Sequence, residues 1–111
     1  MMEHSLNAVS HRWKLNVQSM IEKCDRNHPV KSHHIQTRFQ ITGVVVREIV
    51  HHLREVENIP ICSGAGGYFL AQSIGEAQHT IKQLRSRAKS LNRAAEGILD
   101  HYRKEEQLSL I

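Results

Sequence analysis

The residue types best suited to chemistry lie on one side of a single segment, residues 40–55 (QITGVVVREIVHHLRE). An arginine at position 47 can donate paired hydrogen bonds to a guanine edge or neutralise a phosphate. A valine at position 44 can contact a thymine methyl group, and a glycine at position 43 permits close approach of the backbone. The residues predicted to face a DNA groove from this segment are Thr42, Gly43, Val44, Arg47, Glu48 and His51.

The other side of the same segment is apolar at helical spacing. Val46, Ile49, Val50 and Leu53 form one stripe of a 3.6-residue helix. Thr42 is a suitable N-cap, since its hydroxyl can accept a backbone N–H of the first turn. The three consecutive valines favour a strand by propensity, but the apolar spacing continues through Leu53 and predicts a helix.

A short helix is predicted directly before this segment, at residues 33–39, with Ser32 as its N-cap and Ile35 and Phe39 as its buried pair. Only residues 40–42 separate the two helices, and so short a link predicts a helix-turn-helix. Ser32 and His33, at the start of the first of these helices, are candidate phosphate anchors.

A β-hairpin is predicted after the segment, at residues 59–71 (IPICSGAGGYFLA). Ser63 and Gly64 begin its turn, which has no Lys or Arg, so any DNA contact there would come from the backbone. Upstream, an arm over residues 1–14 could touch phosphates through His4, His11, Arg12 and Lys14. A helix is expected from Asn16 or Val17 to Asp25, followed by a very short strand at Val30.

A family resemblance rests on the motifs Val46-Arg47, Ile49-Val50, Leu53-Arg54, Ile59-Pro60-Ile61 and Gly66-Gly67-Tyr68 with Leu70. Over about residues 17–72 the chain resembles winged-helix DNA-binding domains of the biotin-ligase repressor type. It is still more similar to small winged-helix proteins of bacterial phages and prophages. The resemblance implies a winged-helix fold and a phage or mobile-element context, whereas winged helices bind proteins as well as DNA.

A long helix is predicted at residues 73–104, because Ser73 and Glu76 fit a capping box and apolar residues repeat in heptads. A domain of this size cannot cover so long a stripe, so the helix either pairs with a second chain or folds back. The residues expected to form a homodimer seam are Ile81, Leu84, Ala88, Leu91, Ala95, Ile98 and Tyr102. Gly97 could end or bend the helix, and residues 105–111 are expected to be a disordered tail.

Several other classes of function receive little support from the residues. Cys24, His28 and His33 could converge on a metal, but neither CxxC nor HExxH occurs. The run SGAGG lacks the Lys-Ser/Thr of a phosphate loop. Cys62 has no evident base beside it, so no enzyme activity is expected. No cofactor, small-molecule ligand, signal peptide or membrane span is expected. Two cysteines do not make a disulfide framework, and the predicted location is the cytoplasm.

The sequence thus predicts a mainly α fold with a small β-hairpin wing: a winged helix-turn-helix over residues 15–72, then a long C-terminal helix. The net charge of +4 and the isoelectric point of about 9.4 favour an anionic partner. The predicted function is sequence-specific binding of double-stranded DNA by a dimeric transcriptional regulator. The alternative is a winged-helix adaptor in replication or packaging that binds proteins through its C-terminal helix.

Overall fold

The computed structural model describes residues 6–109, with side chains through Leu108. The elements in chain order are α1 (Ala8–Glu22), α2 (Ser32–Phe39), α3 (Gly43–Glu55), β1 (Ile61–Gly64), β2 (Gly67–Leu70) and α4 (Ile74–Ser109). The chain divides into two compact units, the first ending at Thr80 and the second beginning at Ile81. No helix within residues 6–109 has the length and apolar character needed to cross a membrane.

Helix α1 begins at Ala8, so the prediction of a start at Asn16 or Val17 is wrong. Asn7 is the N-cap, and its Oδ1 accepts a hydrogen bond of 2.8 Å from the N–H of Ser10. Ser10 is fully buried, and Trp13 stacks on Phe39 with ring centroids 5.2 Å apart. These contacts make residues 8–14 helical rather than a loose arm. The first five residues of the predicted arm, including His4, lie outside the described residues.

The predicted helix-turn-helix is formed by α2 and α3. The N-cap Thr42 is confirmed, because its hydroxyl accepts a hydrogen bond of 3.3 Å from the N–H of Val45. The predicted N-cap of α2 is wrong: Lys31 occupies that position, and Ser32 is the first helical residue. The Ser32 hydroxyl instead accepts a hydrogen bond of 3.1 Å from Nε2 of Gln36, which lies one turn further along the helix.

The hairpin of β1 and β2 is antiparallel, with Ile61 opposite Leu70 and Gly64 opposite Gly67. At Val30, where a very short strand was predicted, the structure has an isolated β-bridge to Tyr68: the Val30 N–H donates to the Tyr68 carbonyl at 2.9 Å, and the Val30 carbonyl accepts from the Tyr68 N–H at 2.7 Å. Gly67 has φ of +123°, and a Cβ there would lie 2.3 Å from the carbonyl oxygen of Val30. Glycine is therefore required where the wing meets the bridge at Val30.

The aliphatic core lies in the first unit, and its members are Val17, Ile21, Val30, Ile35, Ile41, Val46, Ile49, Val50, Leu53 and Ile61. Trp13, Phe39 and Tyr68 pack against it. The four apolar residues predicted on α3 are all buried, which confirms the helical interpretation of the valine-rich segment. Three helices and a hairpin in this order form a winged helix-turn-helix, and with α4 the predicted fold class is confirmed.

Helix α4 is 36 residues long, about 54 Å at a rise of 1.5 Å per residue. The Ser73 hydroxyl caps it by accepting from the N–H of Glu76, and the Glu76 carboxylate accepts from the N–H of Gln72. The helix continues past Gly97 and through residues 105–109, so the disordered tail is wrong for those residues. Glu105, Glu106, Gln107 and Leu108 are good helix formers, which explains the extension. Residues 110–111 lie outside the described residues.

Candidate nucleic-acid interface

The exposed N-terminal half of α3 brings together Gly43, Val44 and Arg47. Val44 is 64% exposed and Arg47 is also exposed. A Cβ on Gly43 would lie 3.3 Å from Nη1 of Arg47 and 3.3 Å from Nε2 of Gln36, so both polar side chains end beside this glycine. Within the described part of the chain, no carboxylate forms an ion pair with Arg47. Its guanidinium is therefore available to an external anion or base edge.

Helix α2 continues this polar surface. Gln36 donates from Nε2 to the Ser32 hydroxyl at 3.1 Å and also lies beside Gly43. Ser32, Gln36 and Arg47 consequently form a row of donors and acceptors from the start of α2 to the exposed face of α3. The sequence reasoning missed Gln36, although its position four residues after Ser32 places both on one helix face. His33 is exposed, with its ring 4.4 Å from that of His34.

The expectation that Glu48 faces a DNA groove is corrected. Its Oε2 accepts hydrogen bonds from Asn7 Nδ2 at 3.0 Å and from the hydroxyl of Ser10 at 3.1 Å. Ser10 is completely buried, so this carboxylate ties the start of α1 to the middle of α3. The cause is the N-terminal extension of α1, which the sequence reasoning treated as a loose arm.

His51, one turn after Arg47, is exposed, and its Nε2 lies 2.5 Å from the Glu55 carboxylate. Arg54, in the last turn of α3, reaches the wing. Its Nε donates to the carbonyl of Ile61 at 2.9 Å, and its Nη2 donates to the hydroxyl of Ser63 at 3.3 Å. Arg54 therefore fixes the wing to the end of α3.

The wing offers backbone rather than side-chain contacts. The N–H of Ser63 donates to the Thr80 hydroxyl at 3.1 Å, and the Ser63 hydroxyl accepts from Arg54, so both of these groups are engaged within the protein. Gly64, Ala65 and Gly66 are exposed at the tip. Of the two predicted wing contacts, only Gly64 lies open to a ligand. Behind the wing, residues such as Arg26, Phe69 and His79 line a cleft of about 350 Å³.

Of the three residues considered for a metal, Cys24 and His28 lie in the connection between α1 and α2, whereas His33 lies on α2. The Asp25 carboxylate accepts from the N–H groups of Asn27 and His28 and lies 3.1 Å from His28 Nδ1. The hydrogen bond with the His28 ring holds the pKa of Asp25 below its usual value. Partial burial, and then the nearby Asp25 charge, raise the pKa of the Cys24 thiol, which disfavours the thiolate that a metal requires. No cluster of three or more metal-ligating side chains is found among the described residues.

A second exposed surface runs along α4 in the second unit. Leu84 is 38% exposed, Leu91 70%, Ile98 64% and Tyr102 60%, and Ala88 and Ala95 are exposed between them. Ile81 is half-buried. The predicted dimer seam is therefore an apolar stripe open to solvent for most of its length.

The chain matches no protein-family model, no curated protein and no solved structure. The similarity to biotin-ligase-repressor-type and phage winged-helix proteins accordingly stays a prediction, and the fold stands on the geometry described above.

Proposed function

We propose that this protein is a sequence-specific DNA-binding protein, acting as a dimeric transcriptional regulator. The observation that carries the proposal is the guanidinium of Arg47, which forms no ion pair with any carboxylate among residues 6–109. It lies beside Gly43 on the exposed face of the second helix of a helix-turn-helix. An arginine in this position can bind a guanine through two hydrogen bonds, and Gly43 leaves room for a base pair or a phosphate to approach. The phage or mobile-element context rests only on the sequence resemblance.

The contacts divide between sequence reading and positioning. Arg47 and Val44 read base edges, since one offers paired donors and the other an exposed apolar surface. Ser32, His33, Gln36 and Thr42 contact phosphates around the same groove, together with the N–H groups of the first turn of α2. The wing tip at residues 64–66 adds backbone contacts. Glu48 takes no part, because its carboxylate is engaged by Asn7 and Ser10.

The decisive experiment is selection of bound duplexes from a random library, followed by affinity measurements at several salt concentrations. The wild type is expected to enrich a defined sequence and to lose affinity steeply with salt, because phosphate contacts release counterions. Replacing Arg47 with alanine is expected to reduce discrimination against the mismatched base by about 1–3 kcal/mol, or roughly 5- to 150-fold.

Arg103→Ala is the matched control, since it removes the same charge from α4, where Arg103 lies beside Asp100 and Glu96. This variant is expected to keep the sequence preference of the wild type. Equal binding of selected and scrambled duplexes by the wild type would overturn the proposal. That result would favour the rival function, a protein-interaction adaptor, for which the exposed stripe on α4 is the specific observation.

A further inference from the structure

Charge is unevenly distributed along α4 in the second unit. Residues 82–93 contain five Lys or Arg and no acid, whereas residues 96–106 contain four acids and two Lys or Arg. Arg103 in the acidic half already lies 3.0 Å from Asp100 and 3.5 Å from Glu96. Two copies aligned in parallel would place five cations beside five cations. An antiparallel pair would instead bring the basic half of each copy towards the acidic half of the other.

The sizes of the seam residues favour the same orientation. In a parallel pair each seam residue meets its own copy, so Ala88 and Ala95 would form two thin layers and Glu105 would face Glu105. In an antiparallel pair centred near residue 93, Ala88 lies opposite Ile98 and Ala95 lies opposite Leu91. Each alanine then packs against a large side chain of the other copy, as close packing requires. Leu84 lies opposite Tyr102 in the same register.

The exposed apolar residues of α4 indicate that another surface packs against this helix. Every residue from 82 to 108 is exposed, including Leu91 at 70% and Ile98 at 64%. Helices gain most of their stability from packing of an apolar face, and an isolated helix of ordinary composition is marginal in water. A second copy supplies a stripe of matching length together with the complementary charge.

We infer that α4 pairs with α4 of a second copy in antiparallel orientation, with Ala88 facing Ile98 of the partner subunit. This inference rests on the self-association within the proposed function and is independent of DNA binding. The two Ile81 residues would lie about 36 Å apart along the pair, at 1.5 Å per residue. A parallel pair would hold them about 8–10 Å apart. The orientation therefore determines the separation at which the two DNA-binding units are attached.

Cysteine cross-linking distinguishes the orientations. Ala88→Cys and Ile98→Cys are made as separate full-length variants, one carrying an added mass tag, then mixed, denatured, refolded together and oxidised. In the antiparallel pair the two different chains cross-link, because positions 88 and 98 share a layer. Position 88 is offset from itself by about 15 Å, too far for a disulfide, which needs Cα atoms within about 7 Å. In a parallel pair each variant would instead cross-link with itself.

The wild type under the same oxidation is the control for the native thiols Cys24 and Cys62. A dominant mixed-mass dimer on a non-reducing gel is the expected result. Dimers of a single variant, or a light-scattering dimer in which the mixed pair does not cross-link, would overturn the antiparallel register. A monomer in light scattering at high concentration would overturn self-association as a whole. Duplex affinity of the wild type is measured separately, so failure here is distinguishable from failure of DNA binding.

Discussion

The same apolar periodicity has opposite outcomes in the two units of this protein. On α3, Ile49 and Leu53 are completely buried in the core of the first unit. On α4, Leu91 and Ile98 follow an equally regular spacing and are 70% and 64% exposed. Periodicity therefore establishes that a helix has an apolar face. It does not establish whether that face is covered by the same chain or by another.

Polar groups differ between the units in the same way. In the first unit, the Glu48 carboxylate bonds to the buried hydroxyl of Ser10 and to the Asn7 side chain, which joins two helices. In the second unit, the exposed Glu96 lies 3.5 Å from Arg103 of the same helix. A carboxylate that satisfies a buried donor contributes more to stability than one in an exposed ion pair. Substitutions of one residue type in both units test this contrast.

The largest effect is expected from one substitution made in both stripes. Leu53→Ala removes a buried side chain from the first unit and is expected to cost about 2–5 kcal/mol of unfolding free energy. Leu91→Ala makes the same change on an exposed surface and is expected to leave the first unit unaffected. Trp13, the chain's single tryptophan, packs against the core of the first unit, so its fluorescence during urea unfolding reports on that unit.

The accompanying measurement is light scattering of Leu91→Ala, which is expected to weaken self-association and lower the average mass at a given concentration. Equal shifts of the Trp13 urea midpoint in both variants would contradict the contrast, because they would mean that the two leucines stabilise one shared core.

An intermediate effect is expected at Glu48. Glu48→Ala leaves the buried Ser10 hydroxyl without its acceptor, at a cost of about 1–3 kcal/mol. Glu48→Gln retains an oxygen acceptor and is expected to cost less. Glu96→Ala, the matched change in the second unit, is expected to cost about 0–1 kcal/mol. Urea unfolding measures these differences, followed by Trp13 fluorescence for the Glu48 variants and by circular dichroism for the Glu96 variant. Equal losses of unfolding free energy at Glu48 and Glu96 would contradict the stabilising role assigned to Glu48.

The parts of the fold that follow local rules were predictable from the sequence. Thr42 as N-cap, the buried face of α3 and the hairpin all depend on residues close together in the chain. The start of α1 has a local signal, the N-cap Asn7, which the sequence prediction missed, and a long-range contact between Ser10 and Glu48, 38 residues away, that local rules do not predict. That same long-range contact removed Glu48 from the predicted DNA surface.

Gln36 was absent from the predicted DNA-binding residues, and its position depends on both local and distant contacts. Its bond to Ser32 is local and could have been anticipated from the four-residue spacing. Its approach to Gly43 requires the left-handed backbone at Gln40, where φ is +53° and a glycine would be usual. A turn without its customary glycine gave no sequence signal for how α2 and α3 approach each other.

The smallest effect is expected at Gly97, and it tests whether the second unit depends on intrinsic helix propensity. A Cβ at Gly97 would have nothing within 4 Å, so Gly97→Ala adds no contact and only reduces the backbone freedom of the unfolded chain. The gain is expected to be about 1 kcal/mol, seen as roughly fivefold stronger hydrogen-exchange protection of amides near residues 90–104 in dilute protein. Gly64→Ala, which also meets nothing within 4 Å but lies in the wing, is expected to leave that protection unchanged. Unaltered exchange in Gly97→Ala would show that contacts already hold this part of α4, and the contrast between the two units would then fail.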